Sequence, residues 1–150
     1  MFTNGTGYLC RIFYMSAVIP LSVCLIAASH ANNVSPELLV SVIAVEGGGA
    51  GLSSKNKNGT EDLGIMQINT GAWLKLVSDS FFEGNDEKAY MKLRDDGCFN
   101  IYVGAWILGR SIRMEGGDIW QGVGRYHSVT YHHKQKYIKL VSEKYESIFH

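Results

Sequence analysis

The stretch "SPELLVSVIAVEGGG" constrains the structure of this chain more than any other part of the sequence. Ser35 is a residue type that caps helix N-termini, and Pro36 suits the first helical position because no hydrogen bond is lost there. Apolar residues then recur at helical spacing until Gly47 and the glycines after it end the helix. The pattern predicts a buried helix over residues 36–46 whose last residue, Glu46, is a lone carboxylate.

The predicted position of Glu46 disfavours its ionised form. The C-terminus of a helix carries a partial negative charge, and apolar neighbours withhold solvent from a charged group, so both effects raise the pKa of the carboxyl. A glutamic acid that stays protonated near neutral pH can donate a proton to a poor oxygen leaving group, as cleavage of a glycosidic bond requires. The alternative is a carboxylate that points into solvent at a frayed helix end.

Composition and periodicity favour one mostly helical domain. The 150 residues are 46% hydrophobic with a formal net charge of zero, so one core fits and nucleic acid is not an expected partner. Residues 50–64 are rich in Gly, Ser, Asn and Lys, which predicts a loop or a short hairpin after the first helix. Helical periodicity or capping signals predict further helices over 70–82, 86–94, 100–114, a short piece from 118, and 137–149.

The first thirty-one residues are typical of an export signal. Arg11 is their only charged side chain, and "IFYMSAVIPLSVCLIAA" follows without a charge before small residues at Ser29 and Ala31. We therefore expect a signal peptide over residues 1–31, cleaved after Ala31, and a domain over 32–150. An uncleaved membrane anchor is the alternative, but no stable anchor is expected because the apolar run is short and contains a proline.

What we expect of the cysteines depends on where the signal peptide ends. Cys10 and Cys24 would leave with the signal segment, so the mature domain would keep only Cys98 and form no internal disulfide. The expected role of Cys98 is then a buried, unreactive thiol, and a nucleophile is the alternative.

Four blocks occur in an order that resembles a known family: "AVEGG" at the end of the first helix, "GIMQI" at 64–68, "NIYVGAWIL" at 100–108 and "VGRYHS" at 123–128. The chain resembles the lysozyme-like superfamily, and most closely the small lytic transglycosylases that accompany bacterial secretion, conjugation and pilus machines. The resemblance implies a mostly α, α+β lysozyme-like fold. It also implies export to the periplasm or cell envelope of a bacterium, peptidoglycan glycan strands as substrate, and components of such a machine as partners.

The resemblance implies that Glu46 is the acid of a reaction that breaks the β-1,4 bond between N-acetylmuramic acid and N-acetylglucosamine without water. The product is a 1,6-anhydro sugar, and neither metal nor cofactor is expected. Met66 and Gln67 would shape the groove around the sugars, and Tyr126 would hold the Glu46 carboxyl or the N-acetyl group. The expected substrate-binding residues are Met66, Gln67, Tyr126, Gly64 and Asn100.

A second carboxylate, Asp62, leaves the mechanism open. "NGTEDLGIMQIN" also resembles a segment of C-type lysozymes, in which the acid that Asp62 matches is a nucleophile or charge stabiliser. With Glu46 and Asp62 about 5 to 5.5 Å apart, retaining hydrolysis becomes possible, whereas a larger separation leaves water activation or oxocarbenium stabilisation. A turn residue that caps its own loop is the alternative for Asp62.

The sequence also departs from the family pattern. Gly47 and His127 stand where a serine and an asparagine are usual, which keeps a noncatalytic glycan-binding or assembly protein open as an alternative. Relatives often carry a cysteine before the first helix that could pair with the position of Cys98, and "NNVSPELL" has none.

Overall fold

The computed structural model describes residues 19–150, so Cys10 and Arg11 lie outside the described residues. The helices are α1 (Leu21–Asn32), α2 (Pro36–Glu46), α3 (Lys75–Phe81), α4 (Asp86–Asp95), α5 (Gly97–Met114), α6 (Ile119–His127) and α7 (Tyr131–Phe149). The strands are β1 (Ser53–Lys55), β2 (Glu61–Leu63) and β3 (Ile68–Asn69), and a π-helical turn (Thr70–Leu74) precedes α3. The prediction of a mostly helical fold is confirmed. None of the helices in the described range is long and apolar enough to cross a membrane.

Helix α5 lies at the centre of the core. It begins at Gly97 because the side chain of the preceding Asp96 accepts a hydrogen bond from the Phe99 amide. Its inner face is fully buried against α1 on one side and α6 on the other, and each large apolar side chain there contributes about 1.5–3 kcal/mol of burial free energy. Gly104 has no room for a side chain, since a Cβ there would lie 2.1 Å from the sulfur of Met66.

Helix α2 ends at Glu46, as predicted. The Ser35 side chain accepts a hydrogen bond from the Leu38 amide at 3.2 Å, and Gly47 closes the helix in the left-handed conformation with a φ of 63°. The apolar stripe of α2 is buried, and the helix packs against α7. The packing of α2 on α7 brings the C-terminal end of α2 close to side chains near the other end of the chain.

A three-stranded antiparallel sheet in the order β1-β2-β3 follows α2. The predicted loop or short hairpin is therefore a hairpin, and β3 adds a strand that the sequence did not predict. Asp62 on β2 lies opposite Ser54 on β1 and Asn69 on β3. A Cβ at Gly48 would lie 2.1 Å from the carbonyl oxygen of Gly64, so glycine at this position lets the end of α2 lie directly against the turn after β2.

The expectation that Cys98 is unpaired is wrong. Cys24 on α1 and Cys98 at the start of α5 form a disulfide, with their Cα atoms 5.2 Å apart. The expectation failed because it assigned all of α1 except Asn32 to the cleaved segment, whereas α1 packs against α5 and buries Ala28. Processing after Ala31 stays a prediction, and it would remove nearly all of α1 and half of the disulfide.

Candidate active site

A groove of about 840 Å³ runs between the sheet and the segment that joins α6 to α7. Glu46 lines it from the end of α2 and Asp62 lines it from β2, while His127 lines it from the end of α6 and His133 from α7. The fold therefore brings together two carboxyl groups that are 16 positions apart in the sequence.

Glu46 is a half-buried acid with one hydroxyl partner. The Tyr137 hydroxyl donates a hydrogen bond to its Oε1 at 2.5 Å. Burial raises the pKa of the Glu46 carboxyl from 4.5 to about 7, an effect that the Tyr137 hydrogen bond opposes and the charge of Asp62 reinforces. The raised pKa agrees with the prediction made from the helix end, and it leaves a large protonated fraction near neutral pH.

Asp62 is held as an acceptor at both of its oxygens. Asn69 on β3 donates to Oδ1 at 2.7 Å, and Asn56 in the β1–β2 turn donates to Oδ2 at 3.0 Å. The same two amide groups also donate to the Thr60 hydroxyl oxygen, at 3.0 and 3.1 Å. This network fixes the orientation of the Asp62 carboxylate, and it uses side-chain donors rather than the loop backbone that a turn-capping role requires.

Tyr126 forms no hydrogen bond with Glu46, which is one of the two roles that the resemblance implied; the other, holding the N-acetyl group, stays a prediction. Its hydroxyl donates to the Met66 carbonyl at 2.9 Å, and the ring is almost fully buried at the edge of the groove. The tyrosine that holds Glu46 is Tyr137 on α7, which the sequence analysis did not identify. The ring of His127 stacks on Tyr137 with centroids 4.5 Å apart and planes 3° from parallel.

Three of the predicted substrate-binding residues lie beneath the groove. Met66, Gly64 and Asn100 are buried, and none of them lines the groove, so their role in substrate binding stays a prediction that they can fulfil only by shaping the groove from below. Asn100 accepts from the Met66 amide at 2.8 Å and donates to the carbonyls of Leu63 and Leu93, both at 2.8 Å. The buried Asn100 side chain therefore holds the turn after β2 in place, because it bonds to backbone groups on both sides of Gly64.

Gln67 lines the groove as predicted. Its backbone adopts a left-handed conformation with a φ of 48°, which is uncommon for a residue other than glycine. Its side-chain amide donates to the Gly64 carbonyl at 2.9 Å, so the turn fixes its orientation. Trp73, from the π-helical turn, also lines the groove and offers an aromatic face for a sugar ring.

Comparisons with known proteins identify the family to which the chain belongs. A family model described as "Transglycosylase SLT domain" matches residues 23–149. The chain belongs to this family. It is also similar to proteins named invasion protein IagB from Salmonella typhimurium and Salmonella typhi, with 30% identity over 130 residues that cover 83% of this chain and 76% of each relative.

Membership in the family identifies the chain as a lytic transglycosylase that acts on peptidoglycan. The family match begins at residue 23, so it includes Cys24 and nearly all of α1. The relation of α1 to the rest of the fold is thus supported both by the match and by its disulfide with α5.

Proposed function

We propose that this lytic transglycosylase cleaves the β-1,4 bond between N-acetylmuramic acid and N-acetylglucosamine with Glu46 as the catalytic acid and base. The observation that carries the proposal is a half-buried carboxyl at the groove with a pKa of about 7. An acid with a pKa near the working pH can first give up a proton and then accept one, which a single-carboxylate reaction requires.

In the first step, protonated Glu46 donates its proton to the glycosidic oxygen as the bond from that oxygen to the muramoyl C1 breaks. In the second step, the muramoyl C6 hydroxyl oxygen bonds to C1, and the Glu46 carboxylate accepts the hydroxyl proton. The protonated form of Glu46 is thus restored, with a 1,6-anhydro product and no water consumed. The Tyr137 hydroxyl, which donates to Oε1, stabilises the carboxylate between the two steps.

Asp62 supplies a fixed negative charge near the oxocarbenium-like transition state. Its two amide donors prevent it from turning away, and its charge contributes to the raised pKa of Glu46. The same arrangement supports a second candidate, a muramidase reaction in which Asp62 assists attack by water at C1. The two reactions differ in their products, because an anhydro end is lighter than a reducing end by one water.

Two measurements test the proposal. On a zymogram of purified cell wall, the wild-type protein should clear the gel and the Glu46→Gln variant should not, while equal clearing by both would remove Glu46 from the mechanism. Mass spectrometry of the released muropeptides should then show anhydro ends. Products with only reducing ends would instead establish the muramidase reaction.

We also propose that the enzyme is exported by its N-terminal apolar segment and opens the wall locally for a secretion, conjugation or pilus apparatus. The name of the relatives, invasion protein, and a disulfide of the kind found in oxidising compartments support this placement. Mass measurement of protein recovered from the periplasm tests it. A processed chain that retains Cys24 and its disulfide would support export of the fold described above, and an accumulation confined to the cytoplasm would contradict it.

A further inference from the structure

A second cavity, of about 290 Å³, adjoins the groove at Glu46. Glu46, His127 and His133 line both spaces. The rest of the cavity wall comes from α2 and α7, so the cavity extends away from the sheet and the sugar-binding groove. A volume near the lower end of small-ligand pockets, about 300 Å³, suits a short peptide or a sugar substituent better than a second glycan strand.

The wall of this side cavity combines apolar surface with one free cation. Val45 on α2 and Leu140 on α7 supply the apolar surface, and Lys136 supplies the ammonium group. Within residues 19–150 Lys136 forms no ion pair, whereas its neighbours on α7 do: Lys134 pairs with Glu115 at 2.9 Å and Lys139 with Glu143 at 3.7 Å.

The spacing along α7 explains why these groups share one wall. Residues 133, 136, 137 and 140 follow one another at intervals of three, one and three, which places them along one face of a helix. Glu46 is the one carboxyl that lines the cavity in the described part of the chain, and with a pKa of about 7 it carries only part of a negative charge near neutral pH. The cavity therefore presents a net positive charge next to apolar side chains.

We propose that the side cavity binds the stem peptide of the muramic acid whose glycosidic bond is cleaved, with a stem carboxylate at Lys136 and the small first residue against Val45 and Leu140. The inference rests on the proposed function, because this peptide is carried by the lactyl group of the sugar that reacts at Glu46. An anionic peptide on the reacting sugar is the part of the substrate that a cationic cavity beside the catalytic acid can reach.

A comparison of two substrates tests the side cavity. The kcat/KM for anhydro-end formation is measured on peptide-bearing glycan strands and on the same strands after an amidase has removed the peptides. The wild-type enzyme should prefer the peptide-bearing strands. Lys136→Met should reduce that preference about three- to fivefold, as expected for a partly solvated ion pair, and Lys136→Glu should reduce it further by repulsion.

Two further variants test whether the effect of Lys136→Met comes from the loss of a cation inside the cavity. Lys136→Arg keeps the cation and should retain the preference, and Lys139→Met removes a cation from the same helix outside the cavity and should change neither rate. A preference that Lys136→Met leaves intact, or an equal loss on both substrates, would overturn the inference. If wild-type enzyme cleaves neither substrate, the proposed function fails and not the side cavity alone.

A binding measurement tests the cavity without turnover. A soluble N-acetylmuramyl dipeptide with a free carboxylate is titrated into the Glu46→Gln enzyme and into the Glu46→Gln, Lys136→Met double variant, with NMR shifts of α7 amides as the readout. Shifts around residues 133–140 with weaker affinity in the double variant would support the inference. Equal affinities, or shifts confined to the sheet side of the groove, would contradict it.

Discussion

The two carboxyl groups of the groove, Glu46 and Asp62, differ in what surrounds them rather than in their chemistry. Glu46 is half-buried at a helix end with one hydroxyl donor, and its pKa is raised to about 7. Asp62 stands on a strand with a separate amide donor for each oxygen. Burial favours the protonated form of Glu46, whereas the amide donors hold the Asp62 side chain in one orientation, and the proposed roles of acid and charge stabiliser follow from this difference.

After the loss of the acid itself, the largest effect on activity should come from removing the charge of Asp62. Asp62→Asn should lower kcat by about 100-fold, since a positioned charge near a developing cation contributes on this scale. Products that remain anhydro would identify Asp62 as a charge stabiliser. The matched control is Glu61→Gln, because Glu61 lies beside Asp62 and accepts a hydrogen bond from Ser53 without lining the groove; it should retain activity.

The pH dependence should follow the acid rather than the anion. Because Glu46 must be protonated to donate, kcat/KM should fall about tenfold for each pH unit above its pKa, which the structure puts at about 7. Asp62→Asn removes a charge that raises this pKa, so the midpoint of its residual activity should move to lower pH. An unchanged midpoint would show that the two carboxyls do not interact electrostatically.

The free energy of unfolding should also depend on pH because the pKa of Glu46 is raised in the folded state. The pKa of Glu46 is raised in the folded state from 4.5 to about 7, so the stability contributed by its protonated form is complete below about pH 4.5 and is lost as the pH rises through 7. Glu46→Gln should therefore stabilise the protein by about 1–2 kcal/mol at pH 8, an amount reduced for the partial exposure of the group, with little gain at pH 4. Urea unfolding at the two pH values measures it.

The smallest expected effect distinguishes the two tyrosines near the acid. Tyr137→Phe removes the donor that lowers the pKa of Glu46, so the alkaline limb of the pH profile should move up by less than about one pH unit. Tyr126→Phe removes a hydrogen bond to the Met66 carbonyl and should leave that limb in place. A shift with Tyr126→Phe and none with Tyr137→Phe would reverse the assignment.

Local signals predicted the parts of the fold that local interactions determine. Caps at both ends gave the bounds of α2, and turn residues predicted a loop or a short hairpin where the structure has the hairpin that carries Asp62. Helix α1 was missed because an uncharged apolar run at the start of a chain has the same composition whether it is a signal segment or a helix packed on a core. The start of α7 was placed six residues late, since "YHHKQK" contains no apolar stripe.

The family motifs predicted which residues belong to the region of the site. They did not predict whether each side chain faces the groove or the core. Glu46, Asp62 and Gln67 line the groove, but the resemblance could not show that Met66, Gly64 and Asn100 face the core. Tyr137 lies 91 residues from Glu46, and no local pattern links them. A signal was available, because a tyrosine on the apolar face of an amphipathic helix needs a partner for its hydroxyl.

The bond between Cys24 and Cys98 closes a loop with a sequence separation of 74 residues. By chain entropy alone, opening such a loop costs about 4 kcal/mol, a large part of the 5–15 kcal/mol by which an ordinary domain is stable. In a cytoplasm that keeps cysteines reduced, the chain would lack this bond, and its free energy of unfolding would be small. The stability of the folded enzyme therefore depends on the redox potential of its surroundings. It is high only in an oxidising compartment, where the disulfide can form.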